Sequence, residues 1–244
     1  MVEVALGNGI LVVVSASPDY PSPIAKIDDA RPNDTPWPMM TWPPPGSAPL
    51  LGRVIEVTPV VVERDADALF AALDDDQVWA HVAGRPATAH DYARRLEQRL
   101  AAGWLPWAVR LRRPHAGLPA GAVVGISNYL DVSVADARLE IGGTAYTPAA
   151  WGTAVNPDTK LTLLTQAFEV LGVGRVQLKT DVRHARSQSA IARLGARYEG
   201  TLRRYQRRGD NTVRGTAMFS IIAEDWPAVR DRLDRRVADL AGNE

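Results

Sequence analysis

The sequence predicts an α/β domain with a mixed central sheet, preceded by a proline-rich extension. Two observations lead to this prediction: apolar runs rich in Val and Ile alternate with amphipathic helical stretches, and ten of the 18 prolines fall between residues 15 and 49. Alternating strands and helices are typical of layered α/β domains rather than of sandwiches or bundles. A proline-dense segment is extended and cannot supply a helix or a central strand. We therefore assign residues 1–49 to an N-terminal extension and residues 50–244 to a single folded domain with a C-terminal helix.

The predicted elements follow the order βααβββαβαββ and end with a terminal helix. The strands are predicted at residues 53–62, 104–111, 122–129, 138–147, 175–180, 197–206 and 213–222. The helices are predicted at residues 65–73, 89–102, 156–171, 187–194 and 225–240. Leu161, Leu164 and Phe168 form an apolar stripe along the longest internal helix, which is predicted to stop at Gly172.

The extension starts with an apolar run at residues 10–14 that predicts a short strand. It is too short to span a membrane, and no Lys or Arg precedes it, so we expect neither a membrane span nor a secretory signal. Trp37 and Trp42 lie among the prolines. We expect them to dock on the domain or on a partner subunit, and partly exposed aromatic side chains are the alternative.

Composition limits the chemistry. The chain has 244 residues, no Cys and a formal net charge of +0, which excludes a thiol nucleophile, a thiolate metal site and disulfides. We therefore expect a protein of a reducing compartment, the cytoplasm. The charge is uneven, since residues 56–91 hold eight acids and two bases, whereas residues 175–214 hold eleven bases and three acids. The two regions suit a cation and an anion respectively, or are two solvated faces.

A loop before the longest internal helix predicts a phosphate site. It contains Gly152 and ends in Asn156-Pro157, where Asn is expected to cap the helix and Pro to fill its first position. Free N–H groups and the helix dipole meet at such a helix start and favour phosphate. A nucleotide-binding unit would show the same pattern, so the loop alone does not identify the ligand.

Several short motifs in a fixed order resemble the GNAT acyltransferase superfamily, specifically its Rim-type branch of ribosomal-protein N-acetyltransferases. They are EIG at 140–142, WGTAVN at 151–156, LG at 171–172, KTD at 179–181, RSQSAI at 186–191, LGARYEG at 194–200, FSI at 219–221 and DWP at 225–227. The resemblance covers roughly residues 50–230. It implies an enzyme that uses acetyl-CoA or another acyl-CoA as co-substrate and no metal.

The resemblance also implies where the cofactor binds. The two parallel strands at 138–147 and 175–181 are expected to splay apart around it. The pantetheine amides would pair with Ile141, Gly142, Gly143 and Thr144, and the pyrophosphate would rest on Trp151, Gly152, Thr153, Ala154, Val155 and Asn156. His184 stands where the branch often has Asn, and with Ser187 it completes the predicted cofactor contacts. Ala154 stands where many relatives have Gly.

The expected chemistry is direct attack of an amine on the thioester. This reaction needs a neutral amine, N–H donors for the developing oxyanion and a proton for the leaving thiolate. Glu140 is the candidate base, and a structural carboxylate paired with a nearby Arg is the alternative. Ser187 matches the position proposed to protonate the thiolate, and a plain helix N-cap is the alternative. Gln206 stands where some relatives have a Glu, and it cannot act as a base.

The acceptor is expected to enter between the first two helices and the final hairpin. Asp75, Asp76, Trp79 and Tyr92 would form an acidic and aromatic rim that suits a cationic amine, although Trp79 also fits a core position. A basic cluster on the final hairpin could hold the nucleotide 3′-phosphate, bind an anionic acceptor such as RNA, or form a solvated edge; its members are Arg203, Arg204, Arg207 and Arg208. Alternation along a strand splits the cluster between two faces, which favours the solvated edge.

The sequence thus predicts an N-acetyltransferase that moves acetyl from acetyl-CoA to the primary amine of a protein N-terminus or of a small molecule. The alternatives are the same fold using succinyl-CoA or another donor, and a non-catalytic acyl-CoA-binding or interaction module. A homodimer is also expected from the resemblance. Neither a membrane partner nor nucleic-acid binding is expected, since no aromatic platform or recognised motif supports the latter.

Overall fold

The computed structural model describes residues 36–80, 82 and 84–242, together with the backbone of residues 6–7 and 10–11. The chain divides into two compact units, Met1–Pro36 and Trp37–Glu244. In the first unit, β1 (Leu6–Gly7) and β2 (Ile10–Leu11) pair antiparallel. The proline-rich stretch at 12–35 lies outside the described residues, as does the end of the apolar run predicted at 10–14.

A mixed sheet forms the frame of the second unit. Its eight strands within the described residues are β3 (Leu50–Leu51), β4 (Ile55–Pro59), β5 (Leu105–Leu111), β6 (Val123–Ser133), β7 (Arg138–Tyr146), β8 (Arg175–Asp181), β9 (Arg197–Arg207) and β10 (Val213–Ile222). Their spatial order is β3-β4-β5-β6-β7-β8-β10-β9. The β7–β8 pair is parallel and every other neighbouring pair is antiparallel. The predicted mixed sheet is therefore confirmed.

Helices flank this sheet. They are α1 (Val62–Leu73), α2 (Asp76–Trp79), α3 (Ala89–Ala101), α4 (Val155–Thr165), α5 (Ala185–Leu194) and α6 (Trp226–Gly242). A 3₁₀ turn at Pro148–Ala150 precedes α4, and a π-helical turn at Gln166–Val170 continues it. Leu163 and Leu164 of α4 are fully buried in the main core, so this helix is the centre of the packing.

Capping residues explain several boundaries. Thr88 Oγ1 accepts a hydrogen bond from the Asp91 N–H at 3.1 Å and caps α3, which begins at Ala89 as predicted. Gly195 ends α5 with φ +100°, a conformation that favours glycine. The predicted hairpin of β9 and β10 is also present.

Two predicted boundaries near the start of the domain are wrong. The strand predicted at 53–62 stops at Pro59, and α1 begins at Val62 rather than at Asp65. The buried carboxylate of Asp65 accepts a hydrogen bond from the Val61 N–H at 2.9 Å, which satisfies a free donor at the helix start. With this acidic side chain inside its first turn, the helix begins three residues earlier than predicted.

The residues just before β3 dock on the domain. Thr41 N–H donates to the Leu171 carbonyl at 2.8 Å, and the ring of Trp42 lies edge-on to Tyr129 with 6.2 Å between centroids. The indole of Trp37 donates to the Ala135 carbonyl at 3.2 Å. Both tryptophans of the proline-rich stretch therefore contact the domain itself.

A buried carboxylate joins α4 to the start of β4. Asp158 is 1% exposed, and its two oxygens accept hydrogen bonds from the N–H groups of Arg53 at 3.1 Å, Val54 at 2.7 Å and Ile55 at 3.2 Å. Three donors satisfy the carboxylate, so its burial is compensated. These hydrogen bonds fix the position of α4 relative to the start of β4.

We predict that Asp158→Ala lowers the free energy of unfolding by about 3 kcal/mol, because it leaves three N–H donors, two of them buried, without an acceptor. Chemical denaturation of the two proteins measures the difference. Asp239→Asn, an exposed change on α6, serves as the control and should stay within about 0.5 kcal/mol of the wild type. An equal loss in both variants would contradict the assigned role of Asp158.

Candidate active site

The parallel strands β7 and β8 pair over only three residues. The register is Arg138↔Arg175, Leu139↔Val176 and Glu140↔Gln177, after which the strands no longer pair with each other. Strand β7 continues to Tyr146, while β8 continues to Asp181 and remains paired with β10. The splay predicted for these strands is therefore confirmed. It leaves the β8-facing backbone edge of β7 without a strand partner beyond Glu140.

Two glycines and an asparagine shape β7 at the point where the strands diverge. The β6–β7 register shifts between Ile126 and Asn128, and Gly143 has φ +56°. The buried amide of Asn128 donates to the carbonyls of Gly142 at 2.9 Å and Gly143 at 3.1 Å. A β-bulge of this kind redirects a strand and is often found near active sites. Sequence reasoning missed Asn128, although a buried polar residue opposite a Gly-Gly pair is a signal that could have found it.

Glu140 lies at the closed end of the splay. Its carboxylate is 2% exposed and lies 2.7 Å from Lys179 Nζ, which is also 3.1 Å from Asp131. Burial raises the pKa of Glu140 above its usual value, and the adjacent Lys179 offsets only part of this rise. Burial lowers the pKa of Lys179, but its contacts with Glu140 and Asp131 more than compensate and leave it raised. The candidate base is thus a buried carboxylate in an ion pair, and its partner is a lysine rather than the arginine considered from the sequence.

The loop before α4 offers free donors. The N–H groups of Gly152, Thr153 and Ala154 make no hydrogen bond to any residue that the structure describes. Gly152 has φ +78°, and the Trp151 indole donates to the Tyr146 carbonyl at 3.0 Å, which holds the loop against the end of β7. Free N–H groups at a helix start form a cradle for an anion. These three residues belong to the predicted pyrophosphate site.

Asn156 does not cap α4, and this prediction is wrong. The helix begins at Val155, which places Asn156 and Pro157 inside its first turn, and no side chain caps the preceding Ala154. Instead, the Thr153 hydroxyl accepts a hydrogen bond from the Val155 N–H at 3.2 Å. The pair predicted a helix start correctly, but the observed N-cap, Ala154, lies two residues before the predicted cap Asn156.

The predicted N-cap role of Ser187 is wrong as well. Helix α5 begins at Ala185 with His184 before it, so Ser187 is the third helical residue. The Ser187 hydroxyl is half-buried and makes no hydrogen bond within the described residues. It is therefore free to contact a ligand, and its role with the cofactor stays a prediction, as does that of His184.

The four side chains predicted to bind the acceptor all have internal contacts. Asp75 accepts a hydrogen bond from Gln77 N–H at 2.8 Å and caps α2, while Asp76 pairs with Arg85. The Trp79 indole donates to the Leu73 carbonyl at 2.7 Å, and Tyr92 is 1% exposed in the core. Their role in acceptor binding stays a prediction.

Trp104 lies closer to the bulge than these four residues, and sequence reasoning missed it. A Cβ atom built on Gly143 would lie 3.1 Å from Trp104 Cζ3. The guanidinium of Arg99 lies over the Trp104 ring, 5.2 Å from its centroid. Burial lowers the pKa of Arg99. One wall next to Gly143 is therefore aromatic and basic.

A buried lysine links α4 to the two strands of the bulge. Lys160 is 4% exposed, and its Nζ donates to the hydroxyls of Ser127 at 3.0 Å and Thr144 at 2.6 Å. Burial lowers the pKa of Lys160 to about 7. The same helix therefore carries the free-donor loop at its start and a lysine bonded to the predicted pantetheine strand in its second turn.

The basic cluster of the hairpin is divided. Arg208 forms an ion pair with Asp181 at 2.5 Å, and this contact lowers the pKa of Asp181 to about 2. Arg203, Arg204 and Arg207 are exposed on β9, the last strand of the sheet. Arg208 therefore ties the hairpin to β8, and the remaining three fit a solvated edge.

Comparison with known proteins identifies the family. The family model for the acetyltransferase (GNAT) domain matches residues 55–197. A structure from T. thermophilus, assigned as an acetyltransferase, is 32% identical, with a TM-score of 0.67 over 77% of this chain and 96% of that one. Among curated proteins, none matches the chain in sequence.

Two further solved structures share the fold. A GCN5-related N-acetyltransferase from Brucella melitensis is 24% identical, with a TM-score of 0.72 over 80% of this chain and 87% of that one. Mycobacterium smegmatis RimJ, in complex with CoA-disulfide, is 22% identical, with a TM-score of 0.63 over 78% of this chain and 93% of that one. The fold resemblance to the Rim-type branch is thereby confirmed.

The chain belongs to the GNAT acetyltransferase family and is an N-acetyltransferase. The fold of this family uses acetyl-CoA as co-substrate. None of the helices within the described residues has the length and apolar character that crossing a bilayer requires.

We predict that Lys160 makes stability depend on pH. The folded-state pKa of Lys160 is about 7 against an ordinary value of 10.5, so the unfolded chain binds more protons between these limits. Unfolding free energy should therefore rise from near pH 7 toward pH 10 by up to about 1.4 kcal/mol per pH unit relative to Lys160→Met. Denaturation of both proteins across this range tests it, and parallel stability curves would contradict a depressed pKa.

Proposed function

We propose that this N-acetyltransferase moves acetyl from acetyl-CoA to the primary amine of a protein N-terminus or of a small molecule by direct attack. The observation that carries the proposal is the splay of β7 and β8, with a buried carboxylate at its closed end and free N–H donors near its open end. A long ligand with a reactive group at one end and phosphates at the other matches this arrangement.

The dimensions fit a CoA thioester. Ile141 to Tyr146 is a run of six residues on the unpaired edge of β7, which spans about 20 Å. An extended pantetheine arm has a comparable length and carries two amides that pair with a free strand edge. RimJ, which shares the fold, is seen with CoA-disulfide, and this supports binding of a CoA ligand here.

The polar groups at the closed end suit the expected chemistry. A neutral amine attacks the thioester carbonyl, the carbon–sulfur bond breaks, and the amine proton must leave. Glu140 accepts that proton, directly or through water, and its raised pKa makes it a stronger base than an ordinary carboxylate. Backbone N–H groups of residues 141–144 stabilise the oxyanion. The Ser187 hydroxyl donates a proton to the leaving thiolate and takes one back from water.

Donor choice has a second candidate, succinyl-CoA, which one observation favours. Arg214 Nε is buried and has no hydrogen-bond partner within the described residues, and Glu140 and Asp181 contribute to its electrostatic surroundings. A carboxylate at the end of an acyl chain would supply the missing partner. Acetyl has no carboxylate, so acetyl-CoA would leave Arg214 Nε without a partner, whereas succinyl-CoA would supply one.

A panel of acyl-CoA donors and amines tests the proposed function. We expect CoA release with acetyl-CoA and at least one peptide N-terminus or small amine, measured by thiol detection. Calorimetry with CoA reports binding separately from turnover. Lack of CoA binding by the wild-type protein would overturn the proposal, and turnover with succinyl-CoA alone would replace the acetyl donor.

The pH–rate profile tests the role of Glu140. We predict that kcat/KM rises with pH through the raised pKa of Glu140, because the carboxylate must be ionised to accept a proton. Glu140→Gln should lower kcat by about 100-fold or more and remove that limb of the profile.

Lys179→Met provides the matched comparison, since it removes only the partner cation. The limb should move to higher pH in this variant, because Lys179 lowers the pKa of Glu140 in the wild type. An unmoved limb in Lys179→Met would assign the titration to another group.

A further inference from the structure

One arginine next to the free-donor loop is stacked rather than paired. The guanidinium carbon of Arg186 lies 3.8 Å from the centroid of the Trp151 ring. Trp151 opens the loop whose next three residues carry the free N–H groups, and Arg186 lies in the first turn of α5 after β8. The stack therefore joins the segments that follow the two splayed strands.

The Arg186 side chain is exposed and makes no hydrogen bond or ion pair within the described residues. This sets it apart from Arg85, Arg175 and Arg208, each of which contacts a carboxylate. Stacking uses the face of a guanidinium and leaves its N–H donors, which lie in the plane, available. The Arg186 guanidinium is therefore held in place by an aromatic ring and keeps free N–H donors, which suits binding of an anion.

We infer that Arg186 binds the diphosphate of CoA, with Trp151 as the platform that positions its guanidinium. Planar guanidinium groups bind phosphate oxygens through two parallel N–H bonds, which a point charge cannot do. Arg186 would approach the diphosphate from the α5 side while the loop N–H groups of Gly152, Thr153 and Ala154 hold it from the α4 side. This inference rests on the proposed function, since it requires that the loop receives CoA.

The 3′-phosphate of the cofactor has the same chemistry and is the competing ligand. The diphosphate is favoured because the platform residue Trp151, on which Arg186 stacks, directly precedes the three residues with free N–H groups. Dephospho-CoA lacks the 3′-phosphate and keeps the diphosphate. It therefore separates the two assignments.

Calorimetric titration of Arg186→Gln with CoA and with dephospho-CoA tests the inference. We expect both ligands to bind about 10-fold or more weakly than to the wild type, as for loss of a charged hydrogen-bonding partner. Arg186→Lys keeps the charge but loses the planar stack. Its affinity for each ligand should lie between those of the wild type and Arg186→Gln. The salt dependence of binding should also weaken in Arg186→Gln, which a purely structural effect on the loop would not produce.

Arg183→Gln is the matched control. Arg183 is exposed, lies three residues before Arg186, and forms no side-chain ion pair within the described residues, so its replacement removes the same charge without the stack. The affinity of this variant for CoA should stay within about twofold of the wild type.

The outcomes separate the inference from the proposed function. CoA binding that is unchanged in Arg186→Gln, or weakened equally in Arg183→Gln, overturns the role of Arg186 alone. A loss confined to CoA and absent for dephospho-CoA overturns the diphosphate assignment. Failure of the wild-type protein to bind CoA overturns the proposed function itself.

Discussion

The short pairing of β7 with β8 is the constraint on which the site depends. Three residue pairs join the strands and end at Glu140. Beyond it, among the described residues, β7 pairs only with β6 and β8 only with β10. Such a gap leaves backbone donors and acceptors without partners, which is costly in a protein interior unless a ligand or water replaces them. The buried hydrogen bonds of Asn128 and Lys160 to β6 and β7 stabilise the bulge in β7. The fold therefore maintains an open sheet edge where a thioester cofactor is expected.

Much of this frame was predictable, because its signals are local. Alternating apolar residues, Thr88 before α3 and Gly195 after α5 act within a few residues of the structure they produce. The motifs near 140 and 151 also placed the splayed strands and the loop correctly. The comparisons confirm the family and the fold. The individual roles of Glu140 and Ser187 stay predictions.

The sequence was less informative where a residue acts over a long separation. Nothing in the helical pattern indicated that Lys160 is buried, and it is buried because hydroxyls from two distant strands receive it. The acid run at 74–76 gave no sign of its internal contacts: Arg85 pairs with two of its members and the third caps α2, and their role toward an acceptor stays a prediction. Asn156-Pro157 predicted a cap, whereas the helix starts one residue earlier and uses Thr153. Only for Lys160 do the deciding partners, Ser127 and Thr144, lie outside the pattern, whereas Thr153 and Arg85 lie within the segments already considered.

The π-helical turn after α4 has a consequence for how this chain can vary. From Ala154 to Lys160 the helix carries the free-donor loop, Asp158 and the buried lysine, and each side chain must point in its own direction. Adding or removing one residue there would rotate these groups by about 100° relative to one another. At Gln166–Val170 the wider turn accommodates an additional residue without changing what precedes it. Changes in chain length between relatives should therefore collect at the end of this helix and be absent from its beginning.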